Sequence, residues 1–225
     1  MRDRGRTMIV TIDGPAGAGK STVAKALARK LGYFYLDTGA MYRALTLKAV
    51  RAGADLDSEP ALVELAEDTV IEFVSDKDGA AGVMLDGENV SQEIRTPEVT
   101  NKTSLVARKK GVRQIMVGWQ RSIGEKNNVV IEGRDVGTVV FPHAAYKFFL
   151  EADLDERAKR RLLELQEEKT GIDAEALRRD MESRDQSDIR RDVGPLKKAE
   201  DAVVIDSTGL TAEEVVEQML RHIQK

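Results

Sequence analysis

The stretch that decides the fold is MIVTIDGPAGAGKS, residues 8–21. It opens with an apolar, mostly β-branched run at residues 8–12, which predicts a short buried strand. A glycine-rich segment follows, and then apolar residues recur at helical spacing up to Gly32, where a helix is expected to end in a left-handed residue. Residues 14–21 fit the pattern G-x-x-x-x-G-K-[ST], which between a strand and a helix predicts a phosphate-binding loop.

The sequence of this loop predicts that the protein binds a phosphoryl-donor substrate and a metal ion. Its backbone N–H groups and the N-terminus of the following helix would converge on phosphate oxygens. Lys20 would lie near the β and γ phosphates, and the Ser21 hydroxyl would bind Mg²⁺. A glycine-rich turn that binds nothing is the alternative, which the flanking strand and helix disfavour. The residues predicted to bind ATP are Gly14, Pro15, Ala16, Gly17, Ala18, Gly19, Lys20, Ser21 and Thr22.

The rest of the chain alternates strand and helix patterns. Strands are predicted at residues 33–36, 128–132, 146–150 and 202–206, and helices from Met41 and at about 97–126, 154–169, 174–187 and 212–224. Thr211 and Glu214 form a capping box before the last helix. This alternation predicts an α/β fold in which helices cover both faces of a parallel sheet.

Three short strand-like runs with Asp-Gly turns interrupt that alternation. The runs lie at residues 70–75, 82–85 and 88–90, and the turns at 76–79 and 86–87. They predict a small antiparallel β insert at 58–97, after which Thr96 is expected to cap a helix that starts at Pro97. The predicted core therefore comprises residues 8–57 and 98–225.

Composition excludes several classes of protein. The 225 residues include no Cys and only two His, so disulfides and thiolate chemistry are excluded and a zinc site would depend on carboxylates. A net charge of −4 argues against attraction of the whole surface to nucleic acid or anionic membranes. The first apolar run is too short for a signal or a membrane span, so we expect a cytoplasmic protein with neither kind of partner.

Polar side chains follow two of the predicted strands. Thr38 and Arg43 come after the second strand, and such a hydroxyl–arginine pair could hold the phosphate of a small acceptor. Glu132 ends the next core strand and could hold Mg²⁺ through water, while Arg134 and Asp135 could bind the base or phosphate of the acceptor. The alternatives are a solvated charge for Arg43 and a structural ion pair for Arg134 and Asp135.

A third group of charged residues lies on two predicted helices near the C-terminus. Its members are Arg157, Lys159, Arg160, Arg161, Arg184, Asp185, Asp188, Arg190 and Arg191. They suggest an arginine-rich helical lid at about 154–192 that closes over a triphosphate. The predicted catalytic residues are Lys20, Arg134, Arg157, Arg161 and Arg184. The alternative for part of this group is a solvated face paired with Glu164, Glu167 and Glu168.

A nucleotide-dependent switch is the competing class. Its guanine-reading Asn-Lys-x-Asp string is missing from the sequence, since the nearest match, at residues 101–104, ends in Ser104. A kinase for nucleoside monophosphates needs no histidine or cysteine base, because the second pKa of a phosphate monoester is about 6. Positioning and charge neutralisation can therefore carry the reaction.

Several longer strings resemble the bacterial cytidylate kinase family of P-loop nucleoside monophosphate kinases. They are IDGPAGAGKST, LDTGAMYRAL, EIRTPEV, EGRDVGTVVFP, ERAKRRLLELQ and SRDQSDIRRDVGPLKKAEDA, and the resemblance spans about residues 9–221. It implies transfer of the γ-phosphoryl group of ATP to CMP or dCMP, an insert that binds the monophosphate, and a monomer. Another small-acceptor kinase, such as one that prefers UMP, is the runner-up.

The resemblance also implies roles for individual residues. It implies that Thr38 and Arg43 hold the acceptor phosphate and that Arg134 contacts phosphate. It further implies that cytosine is read by Ser104, Arg113 and Asp135, and that ribose or phosphates are held by Arg184, Asp188 and Arg191. A carboxylate can accept from the exocyclic amine of cytosine, whereas uracil would present a carbonyl to it.

Overall fold

The computed structural model describes residues 7–75, 81–167 and 173–223. The strands are β1 (Ile9–Asp13), β2 (Phe34–Asp37), β3 (Ile71–Ser75), β4 (Ala81–Leu85), β5 (Glu88–Asn89), β6 (Val129–Gly133), β7 (Tyr146–Glu151) and β8 (Val203–Asp206). The α-helices are α1 (Lys20–Leu31), α2 (Thr38–Arg51), α3 (Glu59–Glu67), α4 (Pro97–Ala107), α5 (Lys110–Lys126), α6 (Leu154–Glu167), α7 (Ala174–Arg190) and α8 (Ala212–Ile223). A 3₁₀ turn spans Glu93–Arg95, and a π-helical turn spans Val136–Val140.

The described chain divides into two compact units. The first contains the residues up to Tyr35 and from Lys126 onward. It holds a five-stranded sheet in the order β2-β6-β1-β7-β8, in which β1 pairs in parallel with β6 and β7, and β7 with β8. Its core joins the sheet to α1 and α8 through residues such as Ile12, Leu27 and Met219. The predicted parallel sheet with flanking helices is confirmed.

Helix α1 is bounded by glycines in the left-handed conformation. Gly19 precedes its first turn with a φ of 85°, and Gly32 follows its last turn with a φ of 67°. The Gly32 N–H donates to the carbonyls of Ala28 and Arg29, which are acceptors that a helix end leaves without partners. The predicted end of α1 is therefore confirmed, and its N-terminus directly follows the glycine loop.

The second unit, Leu36–Glu125, combines helices with a small antiparallel sheet. The sheet order is β3-β4-β5, and both pairs of neighbours are antiparallel. Its core brings together Ala40 of α2, Leu85 of β4 and Val99 of α4. The predicted antiparallel sheet is confirmed, whereas the predicted bounds of the insert, 58–97, lie inside this unit and stay a prediction.

Helices α4 and α5 correct the prediction of a single helix over 97–126. The chain leaves helical geometry between them, where Asp57 and the first residue of α3, Glu59, bind the junction. Lys109 Nζ donates to the carbonyl oxygen of Asp57 at 2.7 Å, and the Gly111 N–H donates to Glu59 Oε1 at 2.7 Å. These long-range contacts cap the start of α5, and helical periodicity along the sequence does not reveal them.

Helix α3 lies within a stretch that the sequence assigned to an antiparallel insert. Ser58 Oγ accepts from the Ala61 N–H at 3.4 Å and caps the helix, and Pro60 occupies its first turn. Leu62 and Ala66, one turn apart, are buried. The capping and spacing signals are present in the sequence, but the neighbouring strand-like runs obscured them.

The two predicted helix caps have different outcomes. At α8, Glu214 Oε2 accepts from the Thr211 N–H at 2.8 Å and Thr211 Oγ1 accepts from the Glu214 N–H at 3.3 Å, which confirms the capping box. At α4, Thr96 precedes Pro97 as predicted, but its hydroxyl donates to the carbonyl of Glu93 at 2.9 Å. The preceding 3₁₀ turn thus takes the hydroxyl that was expected to cap the helix.

One of the two predicted Asp-Gly turns can be compared with the structure. Asp86 and Gly87 have φ angles of 50° and 85°, as a type I′ hairpin turn requires. The other turn, predicted at 76–79, lies outside the described residues. So do residues 168–169 and Gln224, where two predicted helices were expected to end.

Candidate active site

The loop between β1 and α1 requires glycine for steric and conformational reasons. Gly14, Gly17 and Gly19 have φ angles of 153°, 74° and 85°. A Cβ atom at Gly14 would lie 2.0 Å from the carbonyl oxygen of Leu150, and one at Gly17 would lie 2.8 Å from Met181 Cε. The backbone of the loop therefore packs closely against β7 and α7, and this leaves no room for side chains at these glycines.

Lys20 lies buried at the start of α1. Its Nζ donates to the carbonyl oxygen of Pro15 at 2.6 Å, so the side chain folds back over the loop. Burial, followed by the nearby Arg134 guanidinium, lowers the pKa of Lys20 to about 7, and the carboxylates of Glu132 and Asp188 offset this only in part. The Lys20 amino group, whose charge depends on its surroundings, thus lies beside the predicted phosphate site.

The oxygen atoms around this loop fit a magnesium ion that takes most of its ligands from phosphate and water. Ser21 and Thr22 supply hydroxyls on the first turn of α1, and Glu132 is a buried carboxylate at the end of β6. Glu132 Oε1 accepts from the Tyr35 hydroxyl at 2.8 Å, which orients the carboxylate. Within the described residues no group of three or more His, Cys, Asp or Glu could hold a metal. Mg²⁺ commonly keeps waters and substrate phosphates as ligands, so this sparse set suits it.

Four predicted acceptor residues form one chain of ion pairs. Arg134 Nε donates to Asp188 Oδ2 at 2.8 Å, and Arg191 Nη1 lies 3.6 Å from Asp188 Oδ1. Arg191 Nη2 in turn donates to Asp135 Oδ1 at 3.2 Å. Arg184 lies on α7 one helical turn before Asp188, on the same side of the helix. The network thus brings residues after β6 together with residues at the end of α7.

The charges of this network reinforce each other. Burial works to lower the pKa of Arg134, but the carboxylates of Asp188, Glu132 and Asp185 outweigh it and raise the pKa. Arg134 is therefore a permanent cation that nearby acids hold in place. A fixed guanidinium of this kind can neutralise charge on a transferring phosphoryl group without reorganising.

Asp13, to which the sequence analysis gave no role, supports the turn that carries Asp135. Its two carboxylate oxygens accept from the N–H groups of Val136 and Gly137 at 2.8 and 2.7 Å. Burial raises the pKa of Asp13 to about 6, although both hydrogen bonds favour the charged form. The available signal was an acid that ends an apolar strand directly before the glycine loop.

Arg157, predicted to act on phosphate, binds the backbone of the loop. Its Nη1 donates to the carbonyl oxygen of Ala16 at 2.9 Å and to Asp185 Oδ2 at 2.6 Å, and its Nε donates to the carbonyl of Ala152 at 3.0 Å. Only 7% of Arg157 is exposed. The predicted catalytic role of Arg157 stays a prediction. In the structure its guanidinium group binds two backbone carbonyls and Asp185.

Arg160 and Arg161, which also lie on α6, have different partners. Arg161 Nη1 pairs with Glu164 at 2.7 Å near solvent, as the alternative reading of this helix expected for Glu164. Arg160 Nη2 donates to the carbonyl of Ser207 at 2.7 Å, and Ser207 Oγ donates to the carbonyl of Ala18 at 3.1 Å. A cavity of about 170 Å³ lies here, beside the glycine loop. Its lining includes Ala18, Gly19, Thr22, Arg160, Ser207 and Leu210.

In the second unit, two predicted acceptor residues lie at the start of α2. Asp37 Oδ1 accepts from the Ala40 N–H at 2.9 Å and caps the helix, while Arg43 Nη2 donates to Asp37 Oδ2 at 2.8 Å. Thr38, buried, is the first residue of α2. Burial works to raise the pKa of Asp37, but Arg43, the helix N–H and Arg95 outweigh it and lower the pKa.

The remaining predicted base-reading residues also lie in this unit. Ser104 is exposed on the last turn of α4, and Arg113 is buried on α5. The Arg113 guanidinium carbon lies 5.7 Å from the centre of the Tyr42 ring, and its Nη1 donates to the carbonyl of Ala107 at 3.4 Å. An arginine stacked on an aromatic ring in this way is held in a defined orientation. The base-reading roles of both residues stay predictions.

Comparisons with known proteins identify the family of this chain. The family model for cytidylate kinase matches residues 10–225. A cytidylate kinase of Desulforamulus reducens is 51% identical over 216 residues, which are 96% of each chain. One of Caldanaerobacter subterraneus is 49% identical over 219 residues, 97% of this chain and 96% of the relative. An uncharacterized protein of Eubacterium ventriosum, whose crystal structure is known, matches the fold with a TM-score of 0.54 at 16% identity, over 97% of this chain and 99% of that one. The chain therefore belongs to the cytidylate kinase family of nucleoside monophosphate kinases.

Proposed function

We propose that the protein transfers the γ-phosphoryl group of ATP to CMP or dCMP and releases ADP with CDP or dCDP. The observation that carries this proposal is the ion-pair chain from Arg134 through Asp188 and Arg191 to Asp135; after burial, Arg134 and Asp188 of this chain also shift the pKa of Lys20, in opposite directions. A carboxylate that reads a base and a guanidinium that binds phosphate are thereby held by one network. Such a network suits an acceptor that carries both groups.

The donor is held by the loop and its lysine. Backbone N–H groups of the loop and the N-terminus of α1 bind the phosphates of ATP, and Lys20 exchanges the Pro15 carbonyl for a phosphate oxygen. The cavity between Arg160 and the loop accommodates the nucleoside end of the donor, because it combines apolar walls with backbone and hydroxyl groups. Ser21, and Glu132 through water, would hold Mg²⁺, which would offset negative charge on the donor phosphates.

The acceptor is recognised through its base and its phosphate. Asp135 accepts from the exocyclic amine of cytosine, and Arg191 holds that carboxylate in place. Arg134, Arg184, Asp188 and Arg191 bind the phosphates and ribose. The family resemblance assigns the acceptor phosphate also to Thr38 and Arg43, and the base also to Ser104 and Arg113. Uracil, with a carbonyl in place of the amine, is disfavoured by repulsion from Asp135.

The chemical step needs no protein base. An oxygen of the CMP phosphate attacks the γ-phosphorus in line, the bond from γ-phosphorus to the bridging oxygen breaks, and ADP leaves with the electron pair. The attacking phosphate is already largely dianionic at neutral pH, since its second pKa is about 6. Lys20 and Arg134, with Arg161 and Arg184 of the predicted lid, neutralise the charge that spreads over the equatorial oxygens.

The proposed setting is a cytoplasmic monomer that acts on small nucleotides. No helix in residues 7–75, 81–167 or 173–223 has the length and apolar character needed to cross a bilayer. The net charge of −4 also gives the protein no general attraction to nucleic acid. Light scattering at assay concentrations checks the oligomeric state.

The test of this function is a coupled ADP-release assay with ATP and Mg²⁺. CMP, dCMP, UMP and AMP are compared as acceptors for the wild type and Asp135→Ala. We expect CMP and dCMP to be the preferred acceptors, and the variant to lose about tenfold to a hundredfold in kcat/KM for CMP because one base contact is removed.

Asp155→Ala, at an exposed carboxylate of α6, is the matched control and should leave the acceptor profile unchanged. A preference for UMP in the wild type would favour the runner-up kinase, whose fold is the same. Activity with AMP alone, or ADP release that no monophosphate stimulates, would contradict the proposal.

A further inference from the structure

The buried ion pair between Arg157 and Asp185 holds both backbone groups of Ala16 in the phosphate loop. Arg157 Nη1 donates to the Ala16 carbonyl at 2.9 Å, and the Ala16 N–H donates to Asp185 Oδ1 at 3.3 Å. The two side chains bind each other at 2.6 Å. The N–H group and the carbonyl group of Ala16 are thus each hydrogen-bonded to one member of the same ion pair.

Three elements of the fold hold the Arg157–Asp185 pair in place. Arg157 lies on α6, Asp185 lies on α7, and Arg157 Nε donates to the carbonyl of Ala152, which directly follows β7. Arg157 and Asp185 are 7% and 8% exposed. In such a dry environment the ion pair is held strongly, and removal of one partner leaves the other charge without compensation.

Packing next to the pair supports the same contact. A Cβ atom on Gly17 would lie 3.2 Å from Arg157 Cβ and 2.8 Å from Met181 Cε. Met181 and Asp185 are four residues apart on α7 and face the same side, and Met181 is buried. Ala16 and Gly17 therefore pack against helices α6 and α7.

We propose that Arg157 and Asp185 are positioning residues for the triphosphate donor, and this rests on the proposed function only in taking ATP as that donor. The pair turns the Ala16 carbonyl away from the phosphates, where its partial negative charge would repel them, and so leaves the N–H groups of the following residues to face the donor. Because the two charges neutralise each other, the pair adds no net charge near the triphosphate. Arg157 acts through the loop backbone and not by direct contact with phosphate.

The test measures ATP binding and steady-state kinetics for Asp185→Asn and Arg157→Lys. Asp185→Asn keeps the shape but leaves Arg157 without its counter-charge, and Arg157→Lys keeps the charge but loses the geometry that joins Ala16, Ala152 and Asp185. We expect the dissociation constant and the KM for ATP to rise about tenfold or more in both, because a hydrogen-bonded charge pair that orders the loop is lost. The KM for CMP should change less than about twofold.

Asp155→Asn is the matched control. Asp155 also joins α6 to α7, through Arg178 Nε at 2.5 Å, but this pair is exposed and does not contact the loop. If the control raised the KM for ATP as much as Asp185→Asn does, or if Asp185→Asn raised the KM for ATP and the KM for CMP equally, a general effect on the two helices would replace the proposal. An unchanged affinity for ATP in folded Asp185→Asn would also overturn it.

Two further measurements keep these outcomes distinct. Thermal unfolding verifies that each variant is folded, and Arg157→Lys carries the test if Asp185→Asn does not fold. Calorimetric titration with ATP needs no acceptor, so it tests the pair even if CMP proves to be the wrong acceptor. Failure of the wild type to phosphorylate CMP would contradict the proposed function, whereas unchanged ATP binding in the folded variants would contradict only the role of this pair.

Discussion

Two aspartates that end strands β1 and β2 provide a direct comparison. Asp13 and Asp37 are both buried, both follow apolar residues, and both accept hydrogen bonds from backbone N–H groups, which for Asp13 belong to the distant Val136 and Gly137 and for Asp37 to the nearby Ala40. Their pKa values nevertheless shift in opposite directions. Burial raises the pKa of Asp13 to about 6, whereas at Asp37 the effect of burial is outweighed, first by Arg43, and the pKa is lowered.

The difference lies in the partners and not in the local motif. Asp13 receives two backbone hydrogen bonds, which do not offset the cost of burying its charge. Asp37 receives one backbone hydrogen bond and an arginine at 2.8 Å. An aspartate at the end of a parallel strand can thus have a raised pKa in one unit and a lowered pKa in the other.

The largest expected effect comes from removing the arginine. Arg43→Leu removes the nearer counter-charge of buried Asp37 and leaves only the more exposed Arg95, 3.9 Å away, so the pKa of Asp37 should rise and the free energy of unfolding should fall by about 3 kcal/mol. Urea denaturation at pH 7 measures this change. Asp37→Asn in the same background should restore part of the stability, and no restoration would show that charge is not the cause.

The second effect concerns the pH dependence of stability. The folded pKa of Asp13 is above that of the unfolded chain, so its stabilising contribution is complete below about pH 4 and is lost as the pH rises through about 6. The stability difference between wild type and Asp13→Asn should therefore shrink by on the order of 2 kcal/mol between pH 4 and pH 7.5.

Asp37 gives the contrasting curve in the same urea experiments. Its folded pKa is lowered, so its contribution is present above the unfolded value of 3.8 and is lost only as the pH falls through the folded pKa. The difference between wild type and Asp37→Asn should thus stay flat from pH 4.5 to pH 7.5. Equal slopes for the two aspartates would remove the distinction between them.

A smaller effect is expected where Asp13 meets the turn that it supports. A Cβ atom at Gly137 would lie 2.9 Å from Thr11 Oγ1 and 3.2 Å from Asp13 Oδ2. Gly137→Ala should therefore cost about 1–2 kcal/mol of stability and raise the KM for CMP, since the turn also carries Asp135. Gly118→Ala on α5, where a Cβ atom meets nothing within 4 Å, is the control, and it should not lower the melting temperature.

The smallest effect is expected for an exposed pair with similar geometry. Arg51 binds Glu88 at 2.7 Å and Glu93 at 2.8 Å, but its side chain is 38% exposed, so water screens these charges. Arg51→Gln should lower the melting temperature only slightly, in contrast to Arg43→Leu. A loss as large as that of Arg43→Leu would mean that burial does not set the strength of these pairs.

The parts of the fold that are encoded locally could be predicted from the sequence. The end of α1 at Gly32 and the capping box at Thr211 depend on neighbours within a few residues, and the glycine loop is recognisable from its own string of residues. The break between α4 and α5 could not be predicted, because it depends on Asp57 and Glu59, about fifty residues earlier in the chain.

The candidate site follows the same division. Lys20 and Arg134 were predictable because each stands in a motif at the end of a strand. The roles of Asp13 and Asp185 were not, since each depends on a partner far away in sequence: Asp13 binds the turn at Val136, and Asp185 binds the loop at Ala16. Sequence patterns indicated which side chains carry charge but did not show which charges meet.

The contact between Lys20 Nζ and the carbonyl of Pro15 has a consequence for how nucleotides bind. The loop provides an internal counter-ligand for its own lysine, so binding of a triphosphate is an exchange of one oxygen partner for another. Because the pKa of Lys20 is about 7, arrival of an anion draws a proton from the buffer near neutrality. We therefore expect nucleotide binding to be coupled to proton uptake, so that the heat of binding depends on the ionisation enthalpy of the buffer.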